Sequence, residues 1–165
     1  MSFWILAFSY WIHLLATVLW VGGLMLMGIV AWPALQKRTL ATSHWLDLQK
    51  RLTPWTNASL VILLVTGFLQ MTNDVNYTGF LQIDSLWAQA ILIKHVAVLA
   101  MILIGGYIQW RVHPAMVRTA LLAQKRPHLA EEEQEALLRR EIRLLRLNMV
   151  CAVAVLFFTA VATAV

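Results

Sequence analysis

The sequence predicts an all-α integral membrane protein built as an up-down bundle of four transmembrane helices, and three observations carry that prediction. Of its 165 residues, 61% are hydrophobic and only 13% are charged, too little polar side chain to cover a water-soluble domain of this size. The apolar residues fall into four runs, each long enough to cross the hydrocarbon core of a bilayer. The cations gather beside those runs, in two of the three connections. The lipid bilayer is therefore the first partner, and the four spans with their connections use the whole length as one domain, 1–165.

The first span is expected over about 3–32, ended by Pro33 with Gln36, Lys37 and Arg38. The second is expected over about 54–71 and the third over about 86–110, closed by Arg111 and His113-Pro114. The fourth is expected over about 147–165. Ahead of it, Glu131 to Leu147 places acids first and arginines last, with Leu137, Leu138, Ile142 and Leu145 at helical spacing. That segment reads as a cytoplasmic helical extension running straight into the fourth span, its charges forming a solvated face that shields the bundle.

Lys37, Arg38, Lys50 and Arg51 occupy the first connection, and Arg111, Arg118, Lys125, Arg126, Arg139, Arg140, Arg143 and Arg146 the third. The second has Asp74 and Asp84 and no cation. The positive-inside rule makes the two basic connections cytoplasmic and puts both termini outside, N-out and C-out, in a multi-pass plasma (inner) membrane protein. The formal charge of +5 is thus a topology signal, and nucleic-acid binding is rejected. The single cysteine, Cys151, excludes an internal disulfide. The apolar start at Phe3 has no Lys or Arg before it and continues to Trp32, so it is read as a retained span and not a cleaved signal.

Ionisable side chains at membrane depth are costly, and three qualify as candidates: His13, Lys94 and His95. His13 lies nine residues past Trp4 and His95 eight past Trp87, which places them about 13 and 12 Å from the outer interface. The first and third spans run in the same direction and are diagonal partners in such a bundle, separated by roughly 13 Å. That gap suits a flat macrocycle held by one imidazole from each side. Haem b is therefore the leading cofactor expectation, with His13 and His95 as axial and metal ligands. Thr17 and Gly67 are expected to make room for the ring, Trp20 to wall it, and Lys94 to meet a propionate or to snorkel toward lipid phosphate or Asp84. Gly22, Gly23, Gly105 and Gly106 look like close-packing positions.

Copper is the rival, because Met25, Met27, Met71, Met101 and Met149 offer soft sulfur beside the histidines. Their depths spread along the bundle, which favours gap-filling over a single site and leaves a chain of weak stations as the copper arrangement. A second haem at His113 would need His44 or His128, and His113 is read instead as a wet interfacial side chain. Trp4 and Trp87 are assigned to an outer aromatic belt, and Trp32, Trp55 and Trp110 to an inner one.

Trp11-Ile12-His13 followed by Leu19-Trp20-Val21-Gly22-Gly23 resembles the first-helix signature of the CopD family, bacterial membrane proteins named for copper resistance. Ile93-Lys94-His95 and Arg146-Leu147-Asn148 are also similar to its small four-span members, so that the resemblance covers nearly the whole chain. It implies a plasma-membrane protein tied to copper handling or, in kindred families, haem. A more distant similarity, on His13 and Lys94, is to membrane protoporphyrinogen oxidases of the HemJ type, which bind haem b. The leading expectation is a b-type haem protein, a cytochrome b-like oxidoreductase passing single electrons from a membrane donor such as quinol to an outer acceptor. Copper transport or resistance is the alternative, and a porphyrinogen oxidase the third.

Overall fold

The computed structural model describes residues 3–37, 39, 41–77, 79, 83–122 and 127–165; Arg38, Lys125 and Arg126 of the basic connections lie outside them. Four helices follow one another: α1 (Phe3–Gln36), α2 (Thr42–Thr72), α3 (Leu86–Leu122) and α4 (Pro127–Ala164). No strand occurs among the described residues, and all four helices are long and apolar enough to cross a membrane. Their outer surface explains this: Phe3, Trp4, Leu14, Val18, Leu103, Val150 and many other large apolar side chains are exposed. Lipid is as apolar as leucine, so burial from water does not drive these helices together; close packing does. Small residues accordingly recur among the buried ones, with Ala16, Ala31, Ser59, Ala90 and Ala152 at helix contacts.

α1 packs along α2, and α3 along α4, with fewer contacts joining the two pairs. The α1–α2 and α3–α4 connections fall at one end, called here the basic end. One buried apolar cluster lies toward it, formed by Met27, Ala31, Leu35, Trp45, Ile108, Ile142 and Leu145 from all four helices. A second, of Trp20, Met101 and Ala152, lies about 10 Å deeper by helix rise, two turns along α4. Both clusters bind the pairs together in the half nearer the basic end.

Each helix runs past the span expected from hydropathy. α2 begins at Thr42 and carries Pro54 inside it, and α3 passes through Pro114 to Leu122. A proline lacks an N–H, and its ring collides with the carbonyl four residues earlier. α1 and α3 accommodate theirs in the same way. Leu26–Ala31 and Ile108–Val112 widen into π-helical turns, in which Trp32 N–H reaches the Met27 carbonyl and His113 N–H the Ile108 carbonyl. In each case the residue before the proline makes a bond five residues back, and the helix continues. The helical extension ahead of the fourth span is continuous with it, as expected.

Candidate functional site

His13 and His95 are each fixed through one ring nitrogen. His13 Nδ1 lies 2.7 Å from Thr66 Oγ1 on α2. That hydroxyl has one proton, which it donates to the Ile62 carbonyl at 2.6 Å. Its oxygen can then only accept, so Nδ1–H is the donor and the Nε2 lone pair of the neutral ring is free. His95 Nδ1 lies 2.7 Å from the Ile91 carbonyl, an acceptor only, with the same result. Metal-binding histidines are oriented in this manner, one nitrogen donating to a supporting group while the other ligates.

The surroundings of the two rings differ. Thr66 is buried and His13 half-buried at the α1–α2 contact, where a Cβ on Gly67 would stand 3.4 Å from His13 Cε1. Gly67 therefore faces the imidazole itself, at a distance where a methyl would just touch the ring. Thr17 Oγ1 donates back to the His13 carbonyl at 2.8 Å and serves its own helix. His95 is exposed on α3. Its neighbour Lys94 is half-buried, in register with the packed residues Trp87, Ala90 and Met101, and among the described residues forms no ion pair with Asp84 or any other acid. Trp20 is buried elsewhere, in the cluster with Met101. Among the described residues no three His, Cys, Asp or Glu side chains gather to hold a metal.

Toward the basic end a cavity of about 340 Å³ lies between the two helix pairs. Trp20, Met27, Met101 and Gly105 are in its walls, together with the polar Gln49, Asn57, Gln109, His113 and Asn148. Asn57 and Gln109 join α2 to α3 through two reciprocal amide bonds of 3.1 and 3.0 Å. Met27 and Met101, which sequence depth separates, thus face one space.

Behind His113 lies the most deeply buried charged group, Glu141, with 0% exposure. Trp45 Nε1 donates to its Oε2 at 3.2 Å, Gln49 Nε2 donates to its Oε1, and His113 Nε2 stands 3.4 Å from Oε1. This corrects the reading of the segment before the fourth span as a purely solvated face. Glu131, Glu132, Glu133, Glu135, Arg139 and Arg143 are exposed, but Glu141 turns inward with Ile142 and Leu145. The signal was present: Glu141 shares the face of Leu138, Leu145 and Asn148 at helical spacing, and its charge masked the pattern. His113 is likewise half-buried against that carboxylate and not wet, whereas His44 and His128 are exposed.

Three further expectations change. Trp87 is buried and Trp32 packs edge-on against Trp45 at 6.4 Å, while Trp4, Trp55 and Trp110 are exposed. Gly22 and Gly105 have nothing within 4 Å of an added Cβ, so they do not mark close packing. Gly23, 3.1 Å from Thr56, does, and so does Gly28, which seats the Met149 thioether.

The fold and these sites define a multi-pass membrane protein with two imidazoles whose Nε2 atoms are free, His13 half-buried at the α1–α2 contact and His95 exposed on α3. The family model described as CopD, copper resistance protein D, matches residues 46–162. The chain belongs to the CopD family. No curated protein and no solved structure matches it.

Proposed function

We propose that this chain handles copper in the plasma (inner) membrane, taking up Cu(I) through His13 and His95 and passing it along the bundle. The observation that carries the reading is the pair of Nδ1 hydrogen bonds, to Thr66 and to the Ile91 carbonyl, which leave both Nε2 atoms as bases for a soft cation. Membership of a family named for copper resistance supports the choice of metal. The loop charges support an orientation in which the basic end is cytoplasmic and both termini are outside, with residues 1–165 acting as one four-span domain. Copper here is cargo, and the residues bind and release it without a covalent step.

The matched depth of His13 and His95 favours a second reading, in which the same two nitrogens hold haem b and the chain passes electrons from a quinol to an outer acceptor. One preparation separates the two. On the copper reading the purified full chain is colourless, binds Cu(I) in competition with a chromophoric chelator, and binds it more weakly in His13→Ala. A red protein with the split bands of six-coordinate low-spin haem, abolished by His13→Ala or His95→Ala and unchanged in His44→Ala, would replace copper with haem.

A further inference from the structure

With copper as the proposed cargo, we infer that the cavity between the helix pairs is the copper path through the basic half of the bundle, with Met101, Met27 and His113 as successive ligands. Met101 and Met27 are 2% and 6% exposed, and both form part of the cavity wall. Met101 packs at the level of Trp20 and Ala152, and Met27 at the level of Ile108 and Leu145. The two sulfurs are thus staged about 10 Å apart along the axis, and His113 follows about 7 Å beyond Ile108. Thioethers are neutral and polarisable, suited to a soft monovalent ion that must bind and then leave.

The remaining lining suits a cation as well. Gln49 and Asn148 are 6% and 5% exposed, yet among the described residues Gln49 Oε1 and Asn148 Oδ1 have no hydrogen-bond partner, and both residues line the cavity. Orphaned acceptors at that burial are costly unless something donates to them or binds through them. Among the described residues His113 Nε2 is also without a hydrogen bond, 3.4 Å from the Glu141 carboxylate, which pairs with no Lys or Arg there. The basic end of the cavity therefore gathers Gln49, Asn148 and His113 in its wall, with the Glu141 carboxylate buried behind His113. The two π turns frame it: Met27 lies within the first, and Gln109 and Trp110 within the second, which His113 closes.

The test uses Cu(I) alone on the full chain carrying Cys151→Ala, so that no thiol contributes. X-ray absorption should show sulfur scatterers on bound copper, and Cu(I) should reach a chelator trapped inside vesicles. Met27→Leu with Met101→Leu conserves volume and should leave the bundle folded. It should remove the sulfur scattering and slow passage at least tenfold, while His13-dependent binding persists. Met25→Leu, exposed and outside the cavity, should change neither. If the parent protein binds Cu(I) through nitrogen and oxygen only, and the double variant passes copper at the parent rate, the cavity path is overturned and the copper reading stands. If the parent binds no Cu(I), both fall.

Discussion

Replacing Glu141 by Gln asks whether the buried carboxylate holds the basic end together. Its two oxygens take Trp45 N–H and the Gln49 amide from α2, and His113 of α3 stands against it, so one side chain of α4 links three helices. A hydrogen bond to a charged group contributes about 1.5–3 kcal/mol, and a buried donor left unpaired costs a similar amount. The substituted amide would present one oxygen and one NH2, so one of the two donors meets another donor, a loss of about 2–3 kcal/mol. Glu141→Ala strands both donors and should cost about 3–5 kcal/mol. For a chain of this length each kcal/mol moves the melting temperature by about 2–4 °C, so Glu141→Gln should melt roughly 5–10 °C lower. The single Cys151, half-buried against Trp20 and Met101, reports the transition in detergent through a thiol-reactive fluorophore. Glu135→Gln is the control, because Glu135 pairs with Arg139 at the surface, where a pair contributes about 0–1 kcal/mol. Trp45→Phe combined with Glu141→Gln should destabilise by less than the sum of the two, since they share one bond. A Glu141→Gln protein melting with the Glu135→Gln control would show that the cluster carries no such load.

Thr66→Val keeps the side-chain shape but removes the oxygen that orients His13, and Cu(I) affinity measured by chelator competition should fall about 10–100-fold without loss of the helices by circular dichroism. Val75 is 96% exposed between α2 and α3, so Val75→Cys in a Cys151→Ala background should react in intact cells with a membrane-impermeant maleimide; labelling only after lysis would reverse the proposed orientation. Gly105→Ala puts a methyl where nothing lies within 4 Å, and the gain in helix propensity should raise stability by about 1 kcal/mol, read as a higher melting temperature.

The four helices were legible because hydropathy over a span-length window is set by the lipid and needs no knowledge of packing. That His13, Lys94 and His95 fall within long apolar helices was legible for the same reason. Their neighbours were not. That Gly67 faces the His13 ring, and that Lys94 and not His95 lies on the packed face of α3, depends on the rotation of each helix about its axis. The hydropathy of a uniformly apolar helix carries almost no signal of that rotation. Trp45 and Gln49 escaped notice because α2 extends twelve residues before Pro54, and a proline at the head of an apolar run reads as a helix start.

The cavity was hidden by the same residues that shape it. Pro33 and Pro114 read in the sequence as ends of spans, since an α-helix cannot pass a proline without losing a bond and meeting a clash. The chain passes both by opening a π turn just before each, in α1 and in α3. A π turn inserts an extra residue into the helical repeat, so the side chains beyond it are rotated relative to the face they would otherwise hold. Counting along an ideal helix from His95 places His113 five turns on and in the same direction as His95. In the structure His95 is exposed, whereas His113 reaches the buried Glu141 carboxylate. The depth of a residue survives such a turn nearly unchanged, but its facing does not. Depth arithmetic therefore gives the level of a side chain along its helix, whereas the meeting of Met27, Met101 and His113 around one space required the path of the backbone through both prolines.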